Sequence, residues 1–239
     1  MAGGTLEVAG MSAQYGDFKV LHDISFTVAP GEIVSIVGSN GAGKTTTLRS
    51  VVGIVHPTGG SVTFDGARID GRRPSEIVER GLAMVPEGRN LFRDMTVEEN
   101  LMMGAHVPRV RKRARKRMSE MYERFATLPG LAKRYAGTLS GGQQQIVAIA
   151  RALMSEPGIL LMDEPSLGLS PKITLDIFAL VRQIGADGTS VVLVEQNVTH
   201  ALALAARAYV ISEGRSVMEG SASDILASDD VRRQFLGET

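Results

Sequence analysis

The sequence predicts an α/β fold built on a buried sheet of mainly parallel strands, with an antiparallel β region before it and a helical insert within it. Three observations carry that expectation. EIVSIVG, GILLMDEP and TSVVLVEQ are short apolar runs rich in branched side chains, the pattern of strands covered on both faces. ITLDIFALVRQIGADG lies between the last two runs with helical spacing, as a crossover joining parallel strands requires. LEVAGMSAQYG and ISFTVAPG alternate apolar and polar residues and end in Gly, which suits antiparallel strands with one wet face.

The elements follow in order. After the two alternating strands, EIVSIVG closes at Gly38; a polar loop and the helically spaced TTTLRSVVGI come next. SVTFDGARI reads as a further strand with an Asp-Gly turn. Between residues 87 and 157 the pattern is helical, and seven basic residues lie between Arg109 and Arg117. That run is either a solvated helix face or a contact for anionic lipid or a membrane partner. Met84, Met95, Met102 and Met103 read as core filler. The last third returns to strands and helices, with AYVISEGRSVMEGS as a hairpin over Glu213 and Gly214 and SDILASDDVRRQFLG as a closing helical segment. The expectation is one domain over 6–239, its core drawn from 6–86 and 158–239 and its helical part from 87–157.

Composition narrows the class. Lys plus Arg equals Asp plus Glu at 26 each, which argues against a dedicated nucleic-acid binder. There is no cysteine, so disulfides and thiolate metal sites are excluded. No apolar run reaches the ~18 residues of a membrane span, and MAGGTLEVAG does not read as a signal peptide. The expected address is the cytoplasm.

Residues 38–45, GSNGAGKT, complete the pattern G-x-x-x-x-G-K-[ST] between a predicted strand and a predicted helix. Glycines let the backbone wrap phosphate oxygens with N–H groups pointing inward. The helix start adds partial positive charge. Lys44 can reach β and γ phosphates, and the Thr45 hydroxyl can ligate Mg²⁺. ILLMDE, residues 159–164, is a buried strand ending in two acids. There Asp163 would hold Mg²⁺, and Glu164 would orient and deprotonate an attacking water. LSGGQ, residues 139–143, opens a helix with Ser140, Gly141 and Gly142, a second anion-directed helix start. One nucleotide cannot easily use both surfaces of one chain, so a head-to-tail dimer is expected.

These three motifs, in this order and spacing, resemble the ATP-binding subunit of an ABC transporter over essentially the whole chain. The resemblance implies a P-loop NTPase with a RecA-like core, an N-terminal antiparallel β subdomain and an inserted helical subdomain, with ATP and Mg²⁺ as cofactors. It implies nucleotide contacts at Gly38, Ser39, Asn40, Gly41, Ala42, Gly43, Lys44, Thr45 and Thr46, and, through the signature segment, at Ser140, Gly141, Gly142 and Gln143. Tyr15 would stack on adenine. Thr45, Glu87 and Asp163 would serve the metal, and Glu164, Gln196 and Lys44 the reaction.

VPEGRNLF, MTVEENL, LSGGQQQ, DEPSLGL, LVEQN and the terminal VRRQFLG are similar to one of the two ATPase subunits of branched-chain amino acid (LIV-type) importers. That implies a second ATPase subunit (a copy or a paralogue), two membrane permeases, a solute receptor acting indirectly, and a place at the cytoplasmic face of the membrane. The chain departs from the broad family in three places. Glu87 stands where most members have Gln, keeping an oxygen ligand but losing the amide donor. Gln196 stands where most have a His at the γ-phosphate, and His200 is four residues too late. Ser170 replaces an Asp before Pro171. All three changes occur together in the LIV-type subunit. Gln196 cannot exchange a proton near neutral pH but can donate to a phosphate oxygen. The alternatives are an importer of urea or short amides in the same subclass, an ATPase for another cargo such as exported lipid, and a soluble relative acting on DNA or ribosomes. Against the last stand a single cassette, neutral charge and no inserted coiled coil.

Overall fold

A computed structural model describes residues 3–228 and Val231. Of the segment VRRQFLG only Val231 is described, so the likeness to an importer tail falls outside the described residues. In chain order the first part holds β1 (Leu6–Tyr15), β2 (Phe18–Val28), β3 (Ile33–Val37), α1 (Lys44–Val51), β4 (Pro57–Phe64), β5 (Ala67–Arg68), α2 (Pro74–Arg80) and β6 (Leu82–Val85). The helical part holds α3 (Val97–Gly104), α4 (Pro108–Arg111), α5 (Ala114–Arg124) and α6 (Gly141–Met154). Then come β7 (Ile159–Asp163), α7 (Pro171–Ala186), β8 (Ser190–Val194), α8 (Val198–Leu204), β9 (Arg207–Ser212), β10 (Arg215–Ser221) and α9 (Ala222–Ala227).

Two sheets result. An antiparallel one runs β2-β1-β4-β5, and a larger one runs β10-β9-β3-β8-β7-β6. In the second, β9, β3, β8, β7 and β6 are mutually parallel and β10 is antiparallel to β9. The apolar runs have a direct cause in this arrangement. Leu160, Met162, Val191 and Leu193 enter the core shared with the helices, while Ile159, Leu161, Val192 and Val194 enter the core under the antiparallel sheet. Both faces of β7 and β8 are therefore buried, and period two disappears from the sequence. Each such Val or Leu contributes about 1.5–3 kcal/mol of burial. Among the described residues, no helix is long and apolar enough to cross a membrane.

Parallel pairing has a functional consequence. The C-terminal ends of β3, β6, β7 and β8 lie along one edge of the sheet, where open α/β sheets place their ligands. Each strand end carries one segment singled out above: the loop before Lys44, the Glu87 loop, the Asp163–Glu164 pair and Gln196. Strand β6 and helix α2 were not read from the sequence. The strand has four residues, and α2 buries only Ile77, so neither shows a period.

The basic run is neither simply solvated nor wholly free. Arg109, Arg113 and Arg117 recur at helical spacing and bond to neighbouring elements, Arg113 from an exposed position. Arg109 donates to the carbonyls of Val78, Glu79, Ser155 and Glu156. Arg113 pairs with Glu156, and Arg117 reaches Glu120, Glu156 and the Leu153 carbonyl. Arg111, Lys112, Arg115 and Lys116 stay exposed. Arg109→Ala should destabilise the chain by about 1–3 kcal/mol, because several carbonyls lose a charged donor. Arg111→Ala should change it by under ~0.5 kcal/mol. Urea midpoints of the two variants check this. The methionines need a correction too: Met84 packs against the core and Met95 is half-buried, but Met102 and Met103 are exposed on α3.

Candidate functional site

Residues 38–43 link β3 to α1 by a route that glycine makes available. Gly41 and Gly43 have φ of 79° and 106°, the region that favours glycine. A Cβ on Gly38 would sit 2.2 Å from the Ile211 carbonyl oxygen, so the loop can pass there only without a side chain. Lys44 is almost fully buried. Its Nζ donates to the carbonyls of Gly38 (2.9 Å) and Ser39 (3.1 Å) and stands 3.8 Å from Glu164 Oε1. The ammonium is thus held at the mouth of the loop.

Thr45 Oγ1 donates to Asp163 Oδ1 at 2.9 Å, bridging α1 to the end of β7. Asp163 Oδ2 is buried with no hydrogen-bond partner. Burial pushes the Asp163 carboxyl up, with the charges of Glu164 and Glu87 adding to the rise and the Thr45 donor opposing it. A buried carboxylate oxygen with a free lone pair beside a hydroxyl is an all-oxygen donor set, which suits Mg²⁺. Among the described residues no three His, Cys, Asp or Glu side chains gather as a metal cage. Mg²⁺ commonly takes one or two protein oxygens and completes its shell with phosphate and water, so the residues fit that ion.

Glu164 sits just beyond β7 with φ 45°, a costly conformation for a side-chain-bearing residue. Its N–H donates to Val194 O at 2.9 Å, which ties it to β8. Gln196, two residues past that carbonyl, is exposed.

A cleft of 530 Å³ brings these groups together. Tyr15, Asn40, Gly41, Gly43, Lys44, Thr45, Thr46, Glu87, Glu164 and Gln196 all line it. That volume lies within the ~300–1,000 Å³ of small-molecule sites. Gly38 and Ser39 contribute by holding Lys44, and Ala42 is buried beneath the loop. Phe18 also lines the cleft, a residue sequence reading missed. Tyr15 and Phe18 are register partners closing the β1–β2 hairpin, both with exposed rings. The signal was present as two aromatics in the polar turn YGDF. His200 does not reach the cleft; its ring packs edge-on against Phe178 at 5.4 Å.

Ser140, Gly141, Gly142 and Gln143 lie outside that cleft. They open α6 with a reciprocal cap: Ser140 Oγ accepts from Gln143 N–H, and Gln143 Oε1 accepts from Ser140 N–H. The glycines also have packing reasons. A Cβ on Gly142 would come 2.7 Å from Ile173 Cγ2, and one on Gly141 would come 3.3 Å from Arg89 Nη2. Arg89 was not singled out from the sequence. It donates to Gln145 and Gln144 of α6, and Arg151 donates back to the Arg89 and Asn90 carbonyls. The Glu87 loop is therefore bound to the helix that LSGGQ opens.

Comparison with known proteins agrees with this geometry. Residues 21–167 match the ABC transporter family. The high-affinity branched-chain amino acid transport ATP-binding protein BraG of Pseudomonas aeruginosa is 44% identical, covering 95% of this chain and 97% of its own. The lipopolysaccharide export system ATP-binding protein LptB of Escherichia coli K12 is 35% identical, over 98% of both chains. A nucleotide-free ATP-binding cassette of an ABC transporter superposes with a TM-score of 0.86 at 28% identity, over 98% of this chain and 100% of its own. A dimeric post-hydrolysis cassette bound to ADP and phosphate gives 0.78 at 28% identity, over 91% and 98%. With phosphate loop, acid pair and signature helix in place, and with relatives matching end to end, the chain belongs to the ABC transporter family as one of its ATP-binding, ATP-hydrolysing members.

Proposed function

We propose that the chain is the ATPase subunit that powers an importer of branched-chain or other hydrophobic amino acids. The observation that carries this reading is the trio Glu87, Gln196 and Ser170 within a family cassette, taken with the 44% identity to BraG. Export of a lipid-like cargo is the second reading, supported by the lower identity to LptB.

In the proposed reaction ATP lies in the cleft with its base against Tyr15 and its phosphates at residues 38–46. Thr45, Asp163 and Glu87 would hold Mg²⁺, which would offset phosphate charge. Lys44, already placed by the Gly38 and Ser39 carbonyls, donates to the β and γ phosphates. Glu164 takes a proton from the attacking water, and Gln196 donates its amide to a γ-phosphate oxygen. Because Ser140–Gln143 line no part of this cleft, a second ATPase subunit, a copy or a paralogue, supplies its signature segment from outside, head to tail. The dimeric state of a similar cassette bound to ADP and phosphate supports the pairing of two such subunits.

The helical part, 87–157, would meet two membrane permeases at the cytoplasmic face. A groove of 420 Å³ lined by Val78, Met84, Phe92, Met103, His106 and Arg151 supports this. Asn90 and Phe92 of the Glu87 loop form one wall, so an occupant of the groove would press on the loop that serves the metal.

Gln196→Ala should lower ATP turnover about tenfold or more with little change in ATP affinity, and Gln196→His should keep turnover within a few-fold. Steady-state kinetics of both variants check this, and an unchanged Gln196→Ala would remove the sensing role. Co-purification tests the assembly: the reading expects an amino-acid permease pair to accompany the tagged chain, and recovery with lipid-export membrane subunits would select the second reading.

A further inference from the structure

VLVEQNV ends β8 with Glu195, Gln196 and Asn197. Gln196 enters the cleft, and Asn197 caps α8 by accepting from His200 N–H at 3.0 Å. Glu195 has neither role. It is a buried carboxylate at 2% exposure, and burying an acid costs heavily unless its oxygens are satisfied. Both are. Oε1 accepts from the Ser166 N–H at 3.0 Å and Oε2 from Ser166 Oγ at 2.9 Å. Burial pushes the Glu195 carboxyl up, opposed by the two Ser166 donors.

Ser166 is two residues past Glu164, and that spacing matters. Glu164 is pinned on one side by its N–H to Val194 O. On its other side the chain must turn through Pro165, and the next anchor is the Ser166 pair to Glu195. Leu167 N–H then closes onto the Glu164 carbonyl at 3.1 Å. The left-handed backbone of Glu164 is therefore clamped from both flanks by consecutive residues of one strand end, Val194 and Glu195. The residue after them is Gln196.

We propose that Glu195 is a positioning residue: its carboxylate fixes the Pro165–Ser166 turn to the end of β8 and so fixes Glu164 relative to Gln196. The inference deepens the reading of Glu164 as the base and rests on it. Glutamine at 195 can keep both contacts, because the Ser166 hydroxyl accepts as well as donates, whereas alanine removes both acceptors and leaves the Ser166 N–H without its partner.

The test is steady-state ATP hydrolysis by the full chain with Glu195→Ala, Glu195→Gln, Ser166→Ala and the Glu195→Ala/Ser166→Ala double variant, with Glu164→Gln as reference. Expected for Glu195→Ala is a kcat at least ~10-fold lower with the ATP KM within about twofold, the mark of an interaction expressed in the transition state. Glu195→Gln should recover most of that loss, Ser166→Ala should lower kcat by a few-fold, and the double variant should be no worse than Glu195→Ala alone. Unchanged kcat in Glu195→Ala, kcat and KM failing together, or simply multiplying effects in the double variant would overturn the proposal. Should Glu195→Ala not fold, Ser166→Ala decides: kcat lowered at constant KM supports it and unchanged kcat rejects it. Turnover surviving in Glu164→Gln would reject the underlying reading instead.

Discussion

Glu164→Gln is expected to lower ATP turnover by about 10²–10⁴-fold, the usual worth of a positioned general base, or about 3–5 kcal/mol of transition-state stabilisation. Binding should survive and can tighten. Glu164 Oε1 lies 3.8 Å from Lys44 Nζ, so neutralising the acid frees the ammonium for phosphate. It also removes one of the carboxylates, beside Asp163 and Glu87, that repel a polyanion in this cleft. ATP should therefore accumulate unhydrolysed across two chains. A dimer that forms with ATP and not with ADP, followed by size-exclusion chromatography alongside the hydrolysis assay, is the expected record. A monomeric variant with wild-type turnover would contradict the assignment.

Lys44→Ala should show the complementary loss, in affinity. The side chain is buried and its ammonium is already placed by the Gly38 and Ser39 carbonyls, so little ordering remains to be done when phosphate arrives. A hydrogen bond to a charged partner is worth about 1.5–3 kcal/mol, which predicts ATP binding weaker by roughly 10–100-fold. Hydrolysis should fall below detection. Lys44→Arg should not restore it, because a planar guanidinium cannot replace a compact ammonium in this enclosed position. Equilibrium binding of a fluorescent ATP analogue separates this outcome from that of Glu164→Gln, which loses turnover and keeps binding.

Much of this site was legible because its residues sit at strand ends. β7 and β8 are buried on both faces, so their apolar runs stop abruptly, and the first polar residues after them mark the sheet edge where a ligand binds. The phosphate loop was legible because glycine spacing reflects a backbone path that no other residue follows. Less was visible where a role depends on a distant partner. Glu195, Gln196 and Asn197 look alike in sequence, yet one clamps a loop, one enters the cleft and one caps a helix. Arg109, Arg113 and Arg117 merge into a single basic run until α4 and α5 turn them onto the carbonyls and the acid around residue 156. Arg89 acts across a gap of more than fifty residues, on Gln144 and Gln145, that a linear reading does not close.

The assignment to amino-acid import is tested most directly by uptake. In cells lacking this chain, uptake of labelled leucine at low external concentration should be lost, restored by the wild-type chain, and not restored by the Glu164→Gln variant expressed at the same level. Leucine uptake that persists without the chain, or that the hydrolysis-deficient variant restores in full, would contradict the account.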